Sequence, residues 1–215
     1  MSSKNICFFI VLVFVLLPAA ALGQMQFGAR LSYDVTFPIN ANNAYSTGSG
    51  FTLGGVANIP LKRSFFIEPG LMFRYASMPS KNLALFDYEL YEGSARVYTI
   101  HIPVDLGYTF DINDNMSIAV STGPYLNVNV AARQKLDPNF GATVHVPNQK
   151  ISLFDHGWKH VDGGWNIKLG TTFAHSYYVG IGGDISFTPL AKFGDRDKKI
   201  RIYRSSVSVI LGYNF

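Results

Sequence analysis

The constraint that weighs most on this chain is the alternation at its end, from Ile200 to Phe215. Read backwards from Phe215, apolar side chains take every second position: Tyr213, Leu211, Val209 and Val207. Asn214, Gly212, Ile210, Ser208 and Ser206 lie between them and are smaller or more polar. Successive side chains of a strand point to opposite faces, so a period of two describes a strand with two unlike faces. A single strand of this kind fits any half-buried sheet. The fold class depends on how often the pattern recurs and on what the apolar face must meet.

It recurs along the whole chain. Phe27 to Phe37 alternates, with Phe27, Ala29, Leu31, Tyr33, Val35 and Phe37 on one side and Gly28, Arg30, Ser32, Asp34 and Thr36 on the other. Further strands are predicted over Phe51–Ile59, Phe65–Tyr75, Tyr98–Phe110, Met116–Val130, Trp165–Phe173 and Tyr177–Phe187. With the terminal strand the count is eight. Connections alternate between short turns (60–64, 111–115 and 174–176) and long loops (40–49, 77–94, 132–163 and 188–199). Pro69, Pro103 and Pro124 each lack a ladder donor, so bulges are expected there. Ile200 and Ile202 are out of phase with Tyr203, which predicts a bulge or strand end at that point.

Composition decides what the apolar faces meet. The chain is 48% hydrophobic and 14% aromatic but only 15% charged. One apolar run, Ile6 to Leu17, follows Lys4 and closes at Pro18, and Ala21-Leu22-Gly23 offers small residues to a signal peptidase. Residues 1–23 are therefore expected to be a cleaved signal peptide, with 24–215 as one domain. An uncleaved membrane anchor is the alternative. Downstream, no segment reaches the ~20 continuous apolar residues of a membrane helix. A membrane-like composition without such a helix points to spanning strands, closed into a barrel so that each backbone group is paired. Cys7 is the one cysteine and lies in the signal, which leaves no disulfide. The formal charge of +4 is too small to argue for nucleic acid.

The fold class expected is all-β, an eight-stranded antiparallel up-and-down transmembrane barrel with short periplasmic turns and long extracellular loops. Outward aromatics form two sets: Phe27, Phe65, Phe110, Phe173, Tyr213 and Phe215 near one rim, and Phe37, Phe51, Tyr75, Tyr98, Trp165, Phe187 and Tyr203 near the other. Two girdles at headgroup depth are their natural reading.

The aromatic end of the chain resembles the C-terminal strand of outer-membrane barrels, which implies that Tyr213 and Phe215 act as a signal to the barrel-assembly machinery. The segments GFTLGGVANIPL (50–61), FIEPGLMFRYAS (66–77), IHIPVDLGYTF (100–110) and GPYLNVNV (123–130) resemble the PorT-like outer-membrane β-barrel family of Bacteroidota-type bacteria. The namesake is linked to type IX secretion, and no residue of this chain carries that role over.

The inward faces hold the candidate chemistry. Arg30, Arg74, Lys168 and Arg204 stand against Asp34, Glu68, Asp105 and Asp184, joined by His101. Eight strands leave room only for side chains, so a structural charge network is expected rather than an ion path. His145, His156 and His160 lie in loop 132–163 with Asp155 and Asp162. His156 and His160 have the spacing of a helical metal pair, but Gly157 weakens a helix there and no third ligand is fixed, so no metal or other cofactor is expected. The stretches 142–146 and 150–154 could make a small hairpin above the membrane. His175-Ser176 lies in a short turn, where adjacency supplies no nucleophile–base geometry. The expected function is structural or surface-binding, with loop 132–163 as the place for an extracellular or envelope partner. The alternatives are a secreted soluble barrel holding a small apolar ligand, which needs an apolar interior, and a lipid-modifying enzyme.

Overall fold

A computed structural model of the protein describes residues 25–40, 45–84, 90–136, 150–193 and 200–215. The expected signal peptide, His145 and the proposed 142–146 strand lie outside the described residues. The strands are β1 (Gln26–Ile39), β2 (Gly48–Pro60), β3 (Phe65–Ala84), β4 (Leu90–Asn113) and β5 (Met116–Leu136). They are followed by β6 (Lys150–Ser152), β7 (Val161–Phe173), β8 (Tyr177–Ser186), β9 (Ala191–Phe193) and β10 (Ile200–Asn214). The eight long strands pair antiparallel with their sequence neighbours. β1 closes the barrel on β10 without a slip, from Gly28 opposite Asn214 to Ile39 opposite Tyr203.

The short connections are tight. Arg63 and Ser64 both take positive φ (58° and 65°), as do Ala174 and His175 (46° and 60°). Two consecutive positive φ values make the hairpin turn whose twist matches that of the strands it joins.

Alternation puts apolar side chains outside. Leu31, Leu53, Leu71, Leu106, Ile167, Leu169, Ile181, Val207, Val209 and Leu211 are all exposed on the barrel wall. The expected girdle aromatics are paired side to side on that wall. Phe51, Tyr75 and Tyr98 meet in sequence as tilted pairs at 5.6 and 5.2 Å, and Phe65, Tyr108 and Phe110 edge to face at 4.8 and 4.7 Å. Alternation from the exposed Phe51 and Leu53 would place Ile59 outward too, but it is buried.

Several sequence expectations require correction. The connection 77–94 is mostly strand: β3 runs on to Ala84 and β4 begins at Leu90. β3, β4 and β5 contain 20, 24 and 21 residues, about twice the ~9–11 that cross a bilayer at a tilt. The prolines do not mark register shifts; the ladder skips pairs around them and resumes in the same register. A shift falls instead at Val130, where Thr99 pairs with Asn129 but Tyr98 with Ala131. This extra residue flips the phase of β5, which is why the alternation in the sequence ends there. At the start of β10 there is no bulge. Ile202 faces inward, because the interior at that level is apolar.

That interior is a cluster of Tyr45, Met78, Ala95, Val97, Ala132, Leu153, Trp158, Leu190, Ala191 and Ile202. Lys150–Ser152, expected to pair within the long loop, pairs with Arg133–Lys135 of β5. Leu153 and Trp158 then fold into the barrel mouth, with a single 3-10 turn at Phe154–His156 between them.

Candidate functional site

The inward side chains below this cap form three connected groups. Near the turn end, Arg30 Nη2 lies 3.3 Å from Glu68 Oε2, and its Nη1 donates to Asn214 Oδ1 at 2.8 Å. The guanidinium lies 4.3 Å over the Tyr178 ring, a cation–π contact. Gly212 allows this close approach, since a Cβ there would come 2.7 Å from Arg30 Cδ. Beside this group, Lys168 Nζ bonds Asp105 Oδ2 at 2.6 Å, and Asn166 Nδ2 donates to Oδ1 of the same carboxylate at 2.8 Å.

At mid-height Arg74 sits between two acids, 2.7 Å from Asp184 Oδ2 and 3.8 Å from Asp34 Oδ2. Its Nε donates to Thr52 Oγ1 at 3.0 Å, while the Thr52 hydroxyl donates to Asp34 at 2.5 Å. Ser32 donates to the other Asp34 oxygen at 2.8 Å and Ser206 to Asp184 at 2.9 Å. These contacts satisfy carboxylate lone pairs that would otherwise be unmet in the interior, the condition under which buried charge is tolerated.

The third group lies under the cap. Asp162 receives Arg204 Nη2 at 3.1 Å, Asn127 Nδ2 at 2.8 Å and Asn129 Nδ2 at 2.9 Å. Asn127 continues to His101 Nδ1 at 2.8 Å, and Asn129 accepts from Thr99 Oγ1 at 2.8 Å. Tyr125 and Ser186 share a hydroxyl bond of 2.8 Å alongside. Between the groups, a cavity of about 30 Å³ is lined by Arg30, Glu68, Arg74, His101, Lys168 and Asp184 among others. That is room for about one water molecule.

All nine charged or titratable residues expected in the lumen thus face it: Arg30, Asp34, Glu68, Arg74, His101, Asp105, Lys168, Asp184 and Arg204. Sequence reasoning missed Asp162, which it placed in a loop among histidines. It is a fifth lumen carboxylate and the sole described acid paired with Arg204. Its signal was parity, because Asp162, Gly164, Asn166 and Lys168 share the inward face once β7 starts at Val161.

His156 and His160, the described loop histidines, each make a contact of their own. His156 Nδ1 is 3.0 Å from the Ser152 carbonyl oxygen, and the His160 ring stacks on Phe154 at 3.9 Å. Among the described residues no group of three His, Cys, Asp or Glu side chains could hold a metal ion. His175 occupies the second positive-φ position of the β7–β8 turn. An interior lined by salt bridges is unlike the apolar pocket that a soluble ligand-carrying barrel requires.

Three solved structures align with most of the chain at low identity. Neisserial surface protein A is 11% identical, with a TM-score of 0.45 over 89% of this chain and 97% of that one. Ail, the attachment invasion locus protein of Yersinia pestis, is 13% identical, with a TM-score of 0.39 over 89% and 97%. OprG of Pseudomonas aeruginosa is 10% identical, with a TM-score of 0.48 over 88% and 95%. No curated protein is significantly similar to the sequence. The model of the outer membrane protein beta-barrel domain family matches residues 23–191. With that match over most of its length, a closed barrel and an apolar wall between aromatic rims, the chain belongs to the outer membrane protein beta-barrel domain family and resides in the outer membrane.

Proposed function

We propose that this protein is a sealed, non-enzymatic barrel whose interior serves stability and whose work is done above the membrane. That work is surface binding or an accessory role in an envelope assembly. The observation that carries the reading is the interior itself, five ion pairs beneath an apolar cap. Each lumen carboxylate is engaged by a cation or an amide, which leaves none free to serve as a base. A planar-bilayer recording tests the seal: wild-type protein should give no steady conductance, and ion-selective single-channel steps would overturn it.

A partner is best sought through the segment 132–163. Leu153 and Trp158 belong to the cap, so the portion to remove is 137–149. Its deletion should abolish co-purification of a partner from gently solubilised outer membranes while the barrel stays folded. Retention of the partner would move the contact elsewhere.

Two further elements belong to this reading. Residues 1–23 act as the export signal, and Tyr213 and Phe215 present the C-terminal strand to the assembly machinery. Removing Phe215 should lower the yield of folded barrel without lowering synthesis. Kinship with the PorT-like branch is supported by the four segments quoted above and by no functional residue.

A further inference from the structure

Trp158, Ala191 and Ile202 line up across three paired segments, and all three are buried in the cap. Of the side chains one position away, Leu190 is buried in the cap, while the cations Lys159, Lys192 and Arg201 reach the surface. On one side of this row Lys192 is directly opposite Arg201, and both are exposed. On the other side Lys159 is half-buried, with its amide donating to the Leu190 carbonyl at 2.9 Å. Like charges directly opposite across a ladder are destabilising, and here a third cation joins them. Desolvation first, then Lys192 and Arg201, hold Lys159 below the usual lysine value. Among the described residues every ion pair lies in the lumen, and none involves these three. The sequence between them does not reverse the sign, since 192–201 holds five Lys or Arg against two Asp.

Height identifies what this cluster meets. Arg201 lies two residues beyond Tyr203 on the outward face of β10, about 7 Å along the strand. Tyr203, with Phe37 and Phe187, belongs to the outer aromatic rim, and such rims sit at the headgroup level of the bilayer. With Lys159 level with that rim and Lys192 and Arg201 one step above it, the cluster stands at the depth of lipid phosphate groups.

We propose that Lys159, Lys192 and Arg201 form a site for the phosphate of an outer-leaflet phosphorylated glycolipid, held against the outside of the barrel. The anion relieves the repulsion among the three cations, and its acyl chains lie along the apolar wall below. Lipid is the favoured source over a soluble polyanion because the cluster faces outward beside the rim rather than upward from a loop tip.

The test uses full-length protein extracted in mild detergent, with bound lipid counted by native mass spectrometry. Wild type should retain a bisphosphorylated glycolipid of the lipid A type and discriminate against its dephosphorylated form. The triple variant Lys159→Gln, Lys192→Gln, Arg201→Gln should lose that retention on the order of a hundredfold. Arg133→Gln, an exposed cation outside the cluster, should leave it unchanged. If the triple variant folds poorly, Lys192→Gln with Arg201→Gln alone should still weaken retention, and Lys192→Arg should preserve it. Equal retention by the triple and wild-type proteins overturns the proposal. So does saturation of wild type by inorganic phosphate or a soluble sulfated polysaccharide as readily as by the lipid.

Discussion

The barrel has two storeys, and they are packed inside out with respect to one another. At membrane height the wall is apolar outside and charged inside, with Leu53 and Leu71 facing out while Arg74 and Asp34 face in. Above the outer rim the same strands reverse, with Met78, Ala95, Val97 and Ala132 facing in and Arg133 and Lys135 out. The reversal follows the solvent. In lipid, burial of an apolar side chain inside the barrel gains little, because the tails outside are equally apolar. Polar groups must then turn inward and satisfy one another. In water the ordinary hydrophobic drive of ~25 cal/mol per Å² returns, and the apolar residues move inside. The hydrogen-bonded group around Asp162 lies at the boundary between the two regimes.

The largest effects should come from breaking the lower storey. Among the described residues Arg74 is the cation paired with both Asp34 and Asp184. Arg74→Ala leaves two carboxylates unpaired, and loss of one partner from a buried pair costs ~3–5 kcal/mol. Urea titration in micelles should show that loss, with the bilayer still silent. The sharper comparison is Arg30→Met with Glu68→Leu, which removes a whole pair and should be near neutral. If that double variant were as damaging as Arg74→Ala, volume rather than charge balance would govern the lumen.

The upper storey should respond to lost volume instead. Leu153 is fully buried in the cap, so Leu153→Ala should cost ~2–5 kcal/mol through transfer and cavity terms. The loss should appear locally, as protease sensitivity near 150–160, before the membrane strands open. Cooperative loss of the whole barrel at the same urea concentration would mean that the two storeys fold as one unit.

The sequence made the lower storey legible and hid the upper one, for a physical reason. Alternation is read from contrast, and at membrane height the contrast is strong: Tyr98, Ile100 and Ile102 against Thr99, His101 and Pro103. Above the rim it weakens, since Ala76, Ala95 and Ala132 are small and Ser77, Ser94 and Arg96 are polar, so a strand reads as a loop. The bulge at Val130 then shifts the phase of β5, and Ile202 looked misplaced only because a polar interior was assumed throughout. Asp162 was lost in the same way, at the end of β7 where the assigned strand was too short. The ion partners themselves were not legible, because inward parity says which charges share the lumen but not which strands bring them together.

The smallest predicted effect separates the storeys by alkali. Tyr45 is buried against Trp158, their rings 5.7 Å apart and edge to face. Burial pushes its phenol up to about 12 from the usual tyrosine value of 10.0, with the Trp158 contact opposing in part. A raised folded value means that the neutral phenol favours the closed cap. The stabilisation is therefore complete below pH ~10 and is lost as pH rises towards ~12, on the order of 2 kcal/mol across that window. The chain has two tryptophans, and Trp165 lies exposed on the membrane wall, so Trp165→Phe leaves Trp158 as the sole reporter of the cap. Its emission should shift to the red between pH 10 and 12 while strand circular dichroism stays constant. Tyr45→Phe, which has no phenol to ionise, should flatten that transition. If the shift persists unchanged in Tyr45→Phe, another group opens the cap. If strand signal falls together with the emission shift, the storeys are a single cooperative structure despite their opposite packing.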